Sequence, residues 1–215
     1  NSVPIVVALS TDKASNPINL YGATKLASDK LFVSANFSTN NKTKFSIVRY
    51  GNVIGSRGSI IPYFLKIKTK NIFPITDIKM TRFFITLNEA VGLVWTACKE
   101  MIGGEIFIKK IPSLKIIDIA KAINKKAKIK IIGLRPGEKI HEQLIGIDDA
   151  LSAYEYKNYF KIIPQISNQK NKYIKNGKKV KNNFVYSSEL NNEWMGIKDI
   201  GKVIKNYETN TKSNN

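Results

Sequence analysis

The chain has 215 residues, 43% of them hydrophobic, so it can bury a core and is not a disordered polypeptide. Its formal net charge of +19 comes from stretches rich in lysine, asparagine and isoleucine, which lack the interleaved aromatic residues of a nucleic-acid-binding patch. No apolar run reaches membrane-spanning length, and a single cysteine and a single histidine argue against a disulfide framework or a zinc cluster, so we expect a cytoplasmic protein that binds neither membrane nor nucleic acid.

Apolar β-branched runs alternate with amphipathic runs along the first half of the chain, which predicts alternating strands and helices. Asn19 stands where a capping residue opens the first helix, and Gly103-Gly104 ends the third. In chain order, the predicted elements are the strand PIVVALS, the helix NLYGATKLASDKLFVSANF, the strand FSIVRY, the glycine-rich loop GNVIGSRGS, the helix IIPYFLKIKTK, the extended pair IFPITD and RFFIT, and the helix opened by the capping box TLNE.

The second half begins with the strand EIFIKK, the helix SLKIIDIAKAINKK, the strand KIKIIG and the turn LRPGEK. This alternation predicts an α/β fold with a parallel sheet. Beyond about residue 165 the sequence becomes polar, with one strand-like piece, NFVYSS, and residues 206–215 are predicted to form a disordered tail.

Tyr21 and Lys25 lie one turn apart on the same face of the first predicted helix. A lysine ammonium near a phenol favours the phenolate and lowers the pKa of the phenol, which can then act as an acid or base on an alcohol being oxidised or a ketone being reduced. The alternative is a tyrosine and a lysine on the surface of an ordinary helix.

Four polar residues, Ser10 to Lys13, follow the first predicted strand. In open α/β sheets, ligands bind outside the carboxyl ends of the strands, so these residues are candidates for a site. The alternative is a strand-terminating turn with a solvated ion pair between Asp12 and Lys13.

Together, STDKA and YGATK resemble the active-site segment of the extended short-chain dehydrogenases/reductases, in particular the nucleotide-sugar 4,6-dehydratases. Further segments, from about Val6 to Trp194, resemble the inverting UDP-N-acetylglucosamine 4,6-dehydratases of pseudaminic acid biosynthesis: RYGNVIGSRGSIIPYF, ITDIKMTRFFITLNEAV, GGEIFIKKIPSLKI and RPGEKIHEQLI. The resemblance implies the C-terminal part of an NAD(P)-binding, Rossmann-like, doubly wound parallel sheet over residues 1–110, with interleaved substrate-binding segments. It implies a smaller α/β substrate-binding lobe over residues 111–205.

The resemblance also implies a role for each reactive residue. Tyr21 is the acid/base at the sugar C4, and Lys25 holds the nicotinamide ribose. Thr11 hydrogen-bonds the C4 oxygen, Asp12 protonates the departing C6 hydroxyl, and Lys13 supplies or shares the base that takes the C5 proton.

The cofactor implied by the resemblance is NADP, with NAD as the alternative, and the substrate is a UDP-sugar. The residues expected at the cofactor are Leu9, Ser10, Tyr21, Lys25 and Val53. The residues expected at the substrate are Asn52, Arg57, Ser59, Arg82 and Arg135, because guanidinium groups match phosphate oxygens. The glycines of GNVIGSRGS do not have the spacing of a dinucleotide fingerprint, and neither Glu138 nor His141 is assigned a role.

Two residues favour an inverting enzyme within the wider family. Retaining dehydratases carry Thr-Asp-Glu where this chain has Lys13, and membrane-anchored relatives show Met in place of Tyr21. A retaining dehydratase, an epimerase and a non-catalytic sugar-nucleotide-binding scaffold remain as alternatives. By comparison with the family, we expect a C-terminal fragment that lacks the cofactor-binding half, is inactive alone and forms a homo-oligomer at full length.

Overall fold

The computed structural model describes residues 3–38, 42–165 and 170–213. The helices are α1 (Leu20–Ser34), α2 (Ile60–Lys66), α3 (Leu87–Glu100), α4 (Ile116–Ile123), α5 (Ile147–Ala150), α6 (Lys170–Tyr173) and α7 (Ile197–Ser213). The strands are β1 (Ile5–Thr11), β2 (Lys44–Tyr50), β3 (Asn52–Val53), β4 (Ile72–Ile75), β5 (Thr81–Ile85), β6 (Ile106–Lys109), β7 (Ser113–Lys115), β8 (Lys128–Ile131), β9 (Gln143–Ile145), β10 (Ala153–Glu155), β11 (Tyr159–Ile162), β12 (Lys178–Lys179) and β13 (Tyr186–Ser187).

The largest sheet has six strands in the order β1-β2-β6-β11-β10-β12. Strands β1, β2 and β6 are parallel, whereas β11 is antiparallel to β6, and β10 is antiparallel to β11 and β12. Successive residues of a strand point to opposite faces of the sheet. Accordingly, Ile47 packs in one core with Phe32 of α1, while Val48 packs in another with Leu93 and Ala97 of α3. Helices therefore cover both faces of the parallel strands, which confirms the predicted doubly wound α/β class.

A further hydrophobic core lies among α2, α4, α7 and the small sheets β3-β5-β7 and β4-β8. Phe64 and Phe73 pack in it with Ile119 and Ile204. This core thus combines residues from before and after position 110. It forms one side of the cleft described below.

Local sequence signals account for the starts of two helices. The Asn19 side chain accepts a hydrogen bond from the Gly22 amide at 2.8 Å, as its capping position predicts. At the start of α3, Thr86 and Glu89 form the predicted capping box, in which each side chain accepts from the other residue's backbone amide. No helix among the described residues is both long enough and apolar enough to cross a membrane.

Three element predictions differ from the structure. Strands β4 and β5 do not pair with each other, because β4 pairs with β8 and β5 pairs with β3 and β7. The fourth helix begins at Ile116, since the residues just before it form β7. Residues 206–213 continue α7 and do not form the predicted disordered tail. Ile200, Ile204 and Tyr207 of that helix pack into the core between α2, α4 and α7. Residues 214 and 215 lie outside the described residues.

Candidate active site

The carboxyl end of β1 runs into a tight 3-10 turn over Asp12–Ala14 that brings three polar side chains together. Thr11 Oγ1 donates a hydrogen bond to Asp12 Oδ1 at 2.8 Å, and Lys13 Nζ donates to the same oxygen at 3.0 Å. Asp12 is only 1% exposed, so its carboxylate depends on these two donors. Asp12 and Lys13 thus form the ion pair that the alternative described, but the Asp12 carboxylate is buried rather than solvated.

Helix α1 packs tightly against this turn at Gly22. A Cβ atom added at Gly22 would lie 2.5 Å from the backbone oxygen of Lys13. Since real Cβ atoms essentially never approach backbone that closely, only glycine permits the contact. The helix that carries Tyr21 is thereby held against the turn that carries Lys13.

Glu142, next to β9, is a member of the site that sequence reasoning missed. Its Oε1 atom lies 3.5 Å from Lys13 Nζ and 3.6 Å from Arg82 Nε. Among the described residues, Glu142 Oε2 and Asp12 Oδ2 are both buried without a hydrogen-bond partner. The available signal was a single acidic residue in HEQLI, separated by one residue from two apolar residues that are fully buried.

The close charges shift the pKa values of three groups. Burial lowers the pKa of Lys13, but the charges of Asp12 and Glu142 outweigh burial and leave it raised above its ordinary value. Burial raises the pKa of Glu142, and the negative charge of Asp12 raises it further, against the opposing effect of the nearby cations. Burial lowers the pKa of Lys139, whose Nζ donates to the Ser15 carbonyl at 2.7 Å. Carboxylate and ammonium groups thus lie together in a partly buried site.

Two adjoining cavities open beside this cluster. The first, about 330 Å³, is lined by Lys13, Ile18, Asn19, Asn52, Arg82, Arg135, Pro136, Gly137, Glu138, Lys139 and Glu142. The second, about 720 Å³, shares Asn52, Arg82, Arg135 and Glu138 with the first and extends along α2 and β4. Both volumes fall within or near the range of small-molecule sites. We refer to the two together as the cleft.

The predicted substrate residues differ in how they meet the cleft. Asn52 and Ser59 line it, and Asn52 Oδ1 and Ser59 Oγ are buried with no hydrogen-bond partner in the described part of the chain. Arg135 lines both cavities with an exposed side chain. Arg57 is exposed and lies outside both. Arg82 is 8% exposed.

Most of the Arg82 hydrogen-bond donors are used by backbone carbonyls of the cleft wall. Its guanidinium donates to the carbonyls of Thr81, Lys139 and Ile140 at 2.7 to 2.9 Å. It also lies 3.7 Å from Glu138 Oε1. Arg82 therefore stabilises the loop before β9 through hydrogen bonds to its backbone. Its contact with a substrate phosphate stays a prediction.

The predicted cofactor residues do not line either cavity of the cleft. Lys25 Nζ donates to the Leu9 carbonyl at 3.2 Å, which uses one of its three N–H groups. Tyr21 and Leu9 are more than half exposed, at 55% and 54%. A phenol and an ammonium with remaining donors can hydrogen-bond ribose hydroxyls, and an exposed apolar side chain can face an aromatic ring, so this set of groups fits a nicotinamide riboside. Val53 instead packs against the core of the main sheet.

Ser10 belongs to a buried polar network behind the site. Its Oγ donates to Asp29 Oδ2 at 2.9 Å, and the same carboxylate oxygen pairs with Arg49 at 3.1 Å. Arg49 also reaches Asp149 at 2.9 Å and the Leu144 carbonyl at 3.0 Å. The Ser10 side chain is thus directed into the fold, which leaves its backbone for the predicted cofactor contact.

Several proteins that this chain resembles are named as enzymes of sugar nucleotides. The family described as "Polysaccharide biosynthesis protein" matches residues 1–164. The UDP-N-acetylglucosamine 4,6-dehydratase (inverting) of Campylobacter jejuni is 50% identical over 97% of this chain, which spans 65% of that relative's length. A UDP-glucose 4-epimerase of Rickettsia bellii is 42% identical over 75% of this chain and 49% of its own. The X-ray structure of Pen from Bacillus thuringiensis superposes with a TM-score of 0.81 at 36% identity, covering 95% of this chain and 62% of that one.

Proposed function

The chain belongs to the polysaccharide biosynthesis protein family, and we propose that its site serves the dehydration of UDP-N-acetylglucosamine across C5 and C6 with inversion at C5. The observation that carries the proposal is the Lys13 ammonium, held between the carboxylates of Asp12 and Glu142 in the wall of the cleft. An elimination of water needs an acid and a base within reach of adjacent carbons. The Asp12–Lys13 pair supplies both within 3.0 Å of each other.

Each reactive residue has a role that its position allows. Lys13 lines the cleft and takes the C5 proton, while Asp12 protonates the departing C6 oxygen. Thr11 Oγ1 orients the Asp12 carboxylate, and its proposed role is a hydrogen bond to the C4 oxygen. Tyr21, at the start of α1, removes or returns the proton of the C4 hydroxyl.

A nicotinamide cofactor, NADP or NAD, supplies the hydride acceptor at C4 and the hydride donor at C6 when it is bound. Tyr21, Lys25, Leu9 and the backbone of Ser10 are the residues that would hold its nicotinamide riboside. Lys25 Nζ donates a hydrogen bond to the Leu9 carbonyl, and this bond links the helix that carries Tyr21 to the carboxyl end of β1.

The larger cavity is proposed to take the nucleotide. Its 720 Å³ lies within the range of sites for molecules of drug size and above. Arg135 is exposed within it and can pair with a phosphate, as guanidinium groups do. Ser59 Oγ and Asn52 Oδ1 are buried there without partners in the part of the chain that the structure describes, which suits hydroxyl or amide groups of a ligand.

The Rickettsia relative makes an epimerase the second candidate. An epimerase needs the Tyr21–Lys25 pair but no acid and base for removing water. The Asp12–Lys13 pair, whose carboxylate is buried, therefore favours dehydration, and a binding scaffold would need neither pair. A cytoplasmic location, a homo-oligomeric state and a place in pseudaminic acid synthesis remain predictions from the resemblance.

The test is NMR of UDP-N-acetylglucosamine with the protein expressed from its complete gene, in deuterated water with NADP or NAD. We expect a 4-keto-6-methyl product that carries deuterium at C5 with inverted configuration. The Tyr21→Phe variant, which removes the phenolic proton, should lose about 10²-fold or more of the rate. Formation of the C4 epimer alone would contradict the proposal, and deuterium at C5 with retained configuration would favour a retaining dehydratase.

A further inference from the structure

We propose that Glu142 is a positioning residue for the elimination: its carboxylate faces the Lys13 amine and stabilises the ammonium that forms when Lys13 takes the C5 proton. The inference rests on the proposed function and deepens it. It starts from the only carboxylate other than Asp12 that lies within ion-pair distance of Lys13 among the described residues.

The proton balance of the elimination defines what Glu142 can do. The C5–H electron pair becomes the C5–C6 double bond while the C6–O bond breaks and water leaves. Lys13 changes from amine to ammonium as it accepts the C5 proton, and Asp12 changes from carboxylic acid to carboxylate as it gives its proton to the leaving oxygen. The pair therefore ends as the ion pair that the structure shows at 3.0 Å.

The same hydrogen bond can restore the starting state. Transfer of one proton from Lys13 Nζ to Asp12 Oδ1 regenerates amine and acid with no change in net charge. Glu142 is unchanged throughout and keeps its negative charge 3.5 Å from Nζ. Its charge favours the ammonium over the amine by Coulomb attraction, and it disfavours the Asp12 carboxylate by repulsion.

The surroundings of Glu142 keep its charge in place. Its backbone amide donates to Ser188 Oγ at 2.9 Å, and its carbonyl accepts from the Ser188 amide at 2.8 Å, so β13 anchors it. Arg82, from β5, faces its Oε1 atom at 3.6 Å. Lys139, from the preceding loop, adds a positive charge nearby, whereas His141 is turned towards Thr81 and Glu189.

A purely structural role would not leave Glu142 as the structure shows it. One of its two carboxylate oxygens is buried with no hydrogen-bond partner among the described residues. A buried carboxylate that serves only stability normally has both oxygens satisfied. Burial and the Asp12 charge raise the pKa of Glu142, which is the cost of placing two acids around one lysine.

The experiment compares Glu142→Gln with wild type in the protein expressed from its complete gene, by C5 deuterium incorporation and by the pH dependence of kcat/KM. Gln keeps the shape but removes the charge. We expect kcat to fall about 10- to 100-fold with little change in KM. Without the Glu142 charge, the Lys13 ammonium loses a source of Coulombic stabilisation, so the Lys13 pKa falls and the limb of the pH profile that reports Lys13 moves to lower pH.

Two further variants complete the test. Glu142→Asp retains the charge at a greater distance from Lys13 and should recover part of the lost rate. Glu189→Gln removes a neighbouring carboxylate that pairs with His141 and not with Lys13, so rate and pH limbs should match wild type. Glu142→Gln with wild-type kcat and unshifted limbs would overturn the inference, whereas a wild type without C5 deuterium incorporation would overturn the proposed function itself.

Discussion

Removing the Arg49 side chain charge should destabilise the protein strongly, because Arg49 joins two carboxylates inside the fold. Arg49 is 1% exposed and lies 3.1 Å from Asp29 and 2.9 Å from Asp149. Arg49→Met keeps most of the side-chain length but leaves Asp29, itself 3% exposed, with the Ser10 hydroxyl as its one remaining partner among the described residues. Breaking a buried pair on one side costs about 3–5 kcal/mol. Loss of the donor to the Leu144 carbonyl adds about 1 kcal/mol.

The assay is urea unfolding of the protein expressed from its complete gene, with Lys68→Met as the matched control. Lys68 pairs with Glu208 at 3.2 Å, but its side chain is 53% exposed, so its loss should cost at most about 1 kcal/mol. The double variant Arg49→Met/Asp29→Asn should recover part of the loss, since it removes the uncompensated charge. A cost for Arg49→Met no larger than that for Lys68→Met would refute the reasoning.

Two other substitutions test the contacts that build the site. Gly22→Ala should lower kcat and the unfolding midpoint, because the new Cβ atom would lie 2.5 Å from the Lys13 carbonyl oxygen. The control Gly201→Ala, with nothing within 4 Å of its new Cβ atom, should stabilise its helix by up to about 1 kcal/mol. Equal effects of the two substitutions on activity and in thermal melts would contradict the contact. Arg135→Ala should raise the KM for the UDP-sugar about 10-fold or more. Arg57→Ala should raise it less, because of these two arginines only Arg135 lines the cleft. Steady-state kinetics with the reverse order would reject the assignment of the nucleotide to the larger cavity.

The features that sequence predicted well depend on residues close together in the chain. Asn19 caps α1 through an amide three residues away, and the Thr86–Glu89 box spans the same interval. The strand ending at Thr11 follows from its apolar β-branched run. Each of these features is determined by residues within one turn or one strand, so the rest of the fold does not alter it.

The features that sequence missed depend on distant pairings. Strand β4 was expected to pair with β5, yet its partner β8 lies beyond α3 and α4, and nothing in IFPITD specifies that choice. Arg49 lies in a predicted strand and Glu142 in a segment without a predicted element, but their burial follows from carboxylates and cations contributed by other elements. A charge in an otherwise apolar segment signals that a partner exists without identifying it.

The unsatisfied buried oxygens of the site connect its stability to its specificity. Asp12 Oδ2, Glu142 Oε2 and Asn52 Oδ1 are acceptors that lack a donor among the described residues. An unpaired buried acceptor costs about 1–3 kcal/mol, so the chain bears this cost unless a ligand brings hydroxyl groups. A hexose offers several such donors on one ring, and a site built on acceptors rejects analogues that lack them. The cleft is therefore less suited to the fold's own stability than to a ligand that carries several hydroxyl groups.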